Sequence, residues 1–214
     1  MLHLTLVGIA TNYLAVPLKS IAYQQRSSAM VWEIDPGHSK ATFSAKYVMI
    51  NTVRGQFNVL NGQVHIDEQH PENSWVEAQV DAASIDTQNE MRDGHLKSPD
   101  FLDVEKYPTL HFKSTSIEHV KDEEYRVTGN LTIHGVTKEV TLDAEYSGQN
   151  KDPYGNLRAG LSARGTINRK DWDLNWNMAL EAGGVLVSDK IKIEIDLSVI
   201  EKAAVEGAAA SQTA

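Results

Sequence analysis

Apolar and polar residues alternate along most of this chain. Near its end Ile191, Ile193, Ile195, Leu197 and Val199 interleave with Lys192, Glu194, Asp196 and Ser198. A period of two with one wet face marks a half-buried strand. The same alternation puts Ala41, Phe43, Ala45 and Tyr47 on one face of "ATFSAKY", and Val140, Leu142, Ala144 and Tyr146 on one face of "VTLDAEY". In "LRAGLSARGTI", Leu157, Ala159, Leu161, Ala163, Gly165 and Ile167 stand against Arg158, Ser162, Arg164 and Thr166. Further strands are predicted over 53–66, 75–80, 109–116 and 125–133.

Turn signals divide these segments. Asn61-Gly62 predicts a tight hairpin or a bulge, Lys121 to Glu124 a charged hairpin tip, and His134-Gly135 a short turn. "SGQNKDPYGN", 147–156, reads as a longer loop. The main helix signal runs from about Asn89 to Lys97, with Pro99 ending it, and a second short helical turn is expected near Asn168 to Trp172. About eight antiparallel strands, each with one apolar face, predict a sandwich or a closed barrel. Several apolar-face positions are small: Ala41, Ala45, Gly129, Ala144, Ala159, Ala163 and Gly165. Small inward residues leave a lumen, whereas a solid core needs native packing density. From alternation alone, a lumen and a core filled by large neighbours reaching over the small residues stand level.

Composition narrows the function. The 214-residue chain has a formal net charge of -9 and a pI near 5.3. Such a surface repels phosphate backbones, so nucleic acid is not an expected partner. The absence of cysteine excludes disulfides, thiol catalysis and cysteine metal sites. No apolar run reaches the roughly 18 residues of a membrane-spanning helix. Residues 1–29 read either as a leader, with "SSA" as a cleavage site, or as a misassigned start ahead of Met30, and are expected to be disordered. A start at Met30 implies a cytoplasmic protein; a cleaved leader implies a periplasmic or secreted one. One barrel domain is expected over 30–201, with a disordered tail over 202–214.

The search for chemistry is mostly negative. The eight histidines form no HExxH and no cluster with metal spacing. There is no GxSxG elbow and no phosphate-binding glycine loop. The run "RDGHLKSPDFLDVEKYP", Arg92 to Pro108, gathers His95, Ser98, Asp100 and Asp103, but catalytic sites are made by geometry and not by adjacency. Its expected role is a lid: Ser98 or Asp100 caps backbone groups while Phe101 and Leu102 close over an apolar interior. The aromatic residues, Phe43, Phe57, Phe101, Phe112, Trp172 and Trp176 among them, are dispersed as in a shared interior.

Five ordered motifs carry a family resemblance: "WEIDPGHSKATFSAKYVMINTVRGQF" from Trp32, "RDGHLKSPDFLDVEKYPTLHF", "VTGNLTIHGVTKEVTL", "INRKDWDLNWN" and "DKIKIEIDLS". The chain resembles the YceI-like family over nearly all of 30–200. The resemblance implies an all-β fold, an extended eight-stranded antiparallel lipocalin-like barrel with one short helical connection. It also implies a non-catalytic role in carrying or sequestering an isoprenoid lipid or quinone, without a cofactor or metal. Burial of such a tail releases about 25 cal/mol per Å² and needs shape more than reactive groups. Phe43, Tyr47, Met49, Val53 and Phe57 fall on motif positions near the first strands and, with Phe101, Phe112, Leu161, Trp172 and Trp176, form the candidate lining. Arg54, Arg164 and Asn177 are the head-group candidates. A stress-related scaffold that binds a protein, and an enzyme acting on a lipid, are the competing readings. Pairing into a homodimer is left open.

Overall fold

Alternation becomes eleven antiparallel strands in the computed structural model, which describes residues 31–181 and 183–202. The expectations for the leader, the start site and the rest of the tail lie outside the described residues. The strands are β1 (Val31–Ile34), β2 (Lys40–Tyr47), β3 (Asn51–Phe57), β4 (Leu60–His65), β5 (Trp75–Asp81) and β6 (Ile85–Asp86), followed by β7 (Thr109–Lys121), β8 (Glu124–Ile133), β9 (Val136–Lys151), β10 (Leu157–Asn168) and β11 (Val187–Lys202). Eight of them close a ring in the order β1-β4-β5-β7-β8-β9-β10-β11, and β11 pairs back onto β1. Closure leaves no free edge in the ring, which is how an antiparallel sheet avoids an exposed ladder.

The other three strands extend rows of that ring. β11 pairs with β1 through Val199 to Lys202 and with β2 through Val187 to Asp196. β3 continues the row of β4 in the same way, and β6 joins β3 through two residue pairs. The strand expected over 53–66 is therefore broken. The amides of Asn58 and Val59 leave the ladder and bond to Ser84, at 3.2 and 3.1 Å. Asn61-Gly62 is not a turn but lies inside β4, where a Cβ on Gly62 would stand 2.3 Å from the Glu77 carbonyl oxygen. The polar stretch read as a loop over 147–156 is strand as far as Lys151. β9 runs on to Lys151, which pairs with Leu157, and only the Asp152 turn separates β9 from β10.

The register separates two ends of the barrel. The β4–β5, β7–β8 and β9–β10 connections share an upper rim with Val31 and Lys202. The β2–β3 turn, the β8–β9 turn and the helix α1 (Glu90–Lys97) share the base. Asn89 caps α1 by accepting the Arg92 amide, and the connection after α1 buries Phe101 and Leu102. A basal cluster of Ile85, Leu102, Ile133, Trp172 and Leu174 plugs this end. Trp172 arrives on a 3₁₀ turn, Arg169–Trp172, and donates its indole N–H to the Leu131 carbonyl at 3.0 Å.

Candidate functional site

Above the basal plug the barrel encloses a cavity of about 230 Å³. Leu110, Leu131, Ile133 and Val140 belong both to its wall and to the basal packing, so the plug is its floor. Leu60, Val64, Val76, Leu161, Ile195 and Leu197 carry the wall upward, fed by the inward parity of β4, β5, β10 and β11. The small inward residues divide into two groups. Phe112 lies over Gly129, where an added Cβ would meet its ring at 2.5 Å, and Leu142 lies over Gly165 in the same way. Ala41, Ala144 and Ala163 border the cavity, while Ala159 is buried in the core with Trp32 and Val199. Lumen and filled core thus coexist, residue by residue.

Polar groups gather at the upper rim. The connection from Ile66 to Ser74 contributes Asp67, Glu68, Pro71 and Ser74 to the lining. Glu68 and Glu145 are the exposed lining residues, and Glu145 alternates with Ala144 and Tyr146 onto the outer face of β9. Glu68 therefore marks where the cavity meets solvent. Tyr146 points inward and donates its phenol O–H to Glu68 at 2.6 Å. In the ring β9 stands four places from β4 in either direction, so this bond spans the mouth. The 66–74 connection is a strap pinned to the opposite wall. Burial first, then the Glu68 carboxylate, push the Tyr146 phenol up, so it remains a donor at neutral pH. Asp67 organises the strap: it accepts the amides of Gln69 and His70, and these bonds hold its carboxyl below the usual range.

The candidate residues fall in several places. Phe112 and Leu161 border the cavity. Phe43 and Phe57 pack on each other, centroids 5.7 Å apart, against the basal cluster that holds Trp172. Val53 stands opposite Ala45 in the β2–β3 extension of the ring, outside the enclosed cavity. Phe101 and Trp176 pack with the His95 ring at the base, and His95 bonds Asp100 at 2.9 Å. Tyr47 and Met49 lie on and beside the β2–β3 turn, 42% and 57% exposed. Arg54 and Arg164 are exposed, opposite in parity to Gly55 and Ala163, and Arg54 borders a second, open cavity together with Phe43 and Met49. Asn177 is spent on backbone, bonding Val187 through both its oxygen and its nitrogen. Among the described residues no three His, Asp or Glu side chains are placed to hold a metal ion. Sequence reasoning passed over Glu68 and Arg169, and named Ile195 only as part of an apolar strand face. Tyr146, at the end of an apolar-face run, was the one legible signal of a polar rim.

Comparison with known proteins gives a consistent result. The YceI-like domain model matches residues 32–199. A UPF0312 protein of Pectobacterium carotovorum is 37% identical over 179 residues, covering 83% of this chain and 90% of the relative. The structure of Burkholderia cenocepacia BcnA superposes with a TM-score of 0.69 at 23% identity, covering 77% of this chain and 98% of that one. A polyisoprenoid binding domain from Saccharophagus degradans superposes with a TM-score of 0.59 at 15% identity, covering 80% and 98%. Both superpositions speak to the fold.

Proposed function

The chain belongs to the YceI-like family, and on that premise we propose that it binds an isoprenoid amphiphile, a polyprenyl lipid or an isoprenoid quinone, and carries or sequesters it without altering it. The observation that carries this reading is the cavity: apolar side chains along its length, polar side chains at one rim. That is the shape of a tail and a head. Burying a slender tail contributes about 25 cal/mol per Å² of apolar surface, and a few rim groups fix its orientation. The polyisoprenoid named for the Saccharophagus barrel is the ligand class carried over. Turnover would need reactive groups along the tail or converging at the head, and a wall of Leu, Val and Ala favours holding.

The test is lipid extraction from gently purified protein followed by mass spectrometry. A prenyl lipid is expected in the wild type. Ala163→Phe, which fills the lumen opposite Ala144, should lose it while the far-ultraviolet circular dichroism stays that of a β-barrel. Wild-type protein free of lipid, with a melting temperature that no prenyl compound raises, would sink the reading.

A further inference from the structure

We infer that the Glu68–Tyr146 pair is the head-group site of the pore and that it selects a neutral, hydroxyl-bearing head over a phosphorylated one; the inference rests on the pore-binding reading above. The pair sits where the cavity meets solvent and closes the mouth with a bond of 2.6 Å. A chain that enters tail-first leaves its head at this bond.

The two partners define what fits between them. Glu68 offers a carboxylate, which only accepts hydrogen bonds, and Tyr146 offers a phenol that donates. A hydroxyl can enter the pair, donating to Glu68 and accepting from Tyr146, so both groups stay satisfied. An ionised phosphate has no proton for Glu68 and brings like charge to it.

The surroundings add to the discrimination. The strap holds three carboxylates, Asp67, Glu68 and Glu72, and its basic side chain His70 turns to Glu72 at 3.6 Å. No Lys or Arg occurs among the residues lining the cavity. The arginines of the described residues all lie outside this lining. Arg54, Arg126 and Arg164 are exposed. Arg92 holds Thr87, Arg158 holds Asp35 and Asp152, and Arg169 is buried beside the base. A phosphate site would need one of these forks turned into the mouth; the fork nearest the rim, Arg158, is held by Asp35 and Asp152, and no arginine lines the cavity.

The experiment uses the full-length chain, delipidated, titrated with geranylgeraniol and with geranylgeranyl diphosphate while tryptophan fluorescence is followed. The tails are identical, so the ratio of dissociation constants reports the head alone. The alcohol is expected to bind at least tenfold more tightly. Glu68→Gln, which keeps an acceptor and removes the charge, should tighten the diphosphate and weaken the alcohol, whose bond to a carboxylate becomes one to a neutral amide, so that the ratio of the two dissociation constants falls at least threefold. A diphosphate that binds as well as the alcohol, or a ratio unmoved by Glu68→Gln, overturns the inference and leaves the pore reading standing. Binding of neither lipid overturns the pore reading itself.

Discussion

Arg169 shows how much one side chain can hold. It is 2% exposed, and its guanidinium donates to the carbonyls of Ser188, Leu174 and Trp176. Those carbonyls belong to the start of β11 and to the segment that follows the 3₁₀ turn, so one fork fastens the lower seam. The Asp189 carboxylate at 3.4 Å supplies the countercharge. Arg169→Met would leave these carbonyls without donors, at a cost of about 1–3 kcal/mol for each one that stays buried. That is a large share of the roughly 5–15 kcal/mol that holds a domain folded. The urea midpoint should fall accordingly, with the denaturant slope unchanged. Arg169→Lys, which can reach one carbonyl but not three, should recover only part. A midpoint within experimental error of wild type would show that the fork is dispensable.

At the scale of elements, α1 holds an oddity. Gly94 stands in its interior, exposed, and a Cβ there would meet nothing within 4 Å. Glycine in a helix interior is less favourable than alanine by about 0.5–1 kcal/mol, so Gly94→Ala should raise thermal stability by that amount; an unchanged or lower melting temperature would count against an ordinary helix here. This helix was legible, because Asn89, the turn of periodic residues and Pro99 all lie within the segment itself. Strands were legible for the same reason: alternation is local. What failed was whatever a neighbour decides. Asn58 and Val59 leave the ladder because Ser84 is there to receive them, and Gln149 to Lys151 stay in strand because β10 pairs with them. The site divides along the same line. Inward parity named Phe112 and Leu161. Whether a small residue opens a lumen depends on the side chains of neighbouring strands: Phe112 reaches over Gly129, while Ala163, between Ala144 and Ile195, borders the cavity. Glu68 sits in a connection with no period, so only the closed ring, which carries the strap to Tyr146, gives it meaning.

For the whole molecule, charge ties distant parts of the seam together. Arg158 on β10 bonds Asp35, between β1 and β2, at 2.6 Å and Asp152, in the β9–β10 turn, at 2.8 Å. Hydrogen bonds from Arg158 are the leading cause holding both carboxyls below the usual range. A carboxyl whose folded pKa is depressed stabilises the fold above its unfolded pKa, about 3.9, and loses that contribution as pH falls through the folded value. Wild type should therefore exceed Arg158→Met in stability at pH 7 and pH 5, and the gap should close as pH drops below about 4. Chemical denaturation at several pH values measures this directly; a gap independent of pH would assign the effect to packing instead.

The seam itself has a consequence in time. Val31 pairs with Lys202, so the first strand of the barrel waits for the last. During synthesis β1 and β2 emerge early, yet the partner edge they share on β11 is made after nearly all the rest of the domain. Contacts so far apart along the chain are slow to form, because their loop closure must precede any reward. Until β11 arrives, the nascent sheet carries open ladder edges and an apolar lining turned toward water. The period in which this domain is most exposed to aggregation is the one before β11 has emerged. Changes in β11 should then register first in the yield of folded protein, before any equilibrium measurement on the finished barrel reveals them.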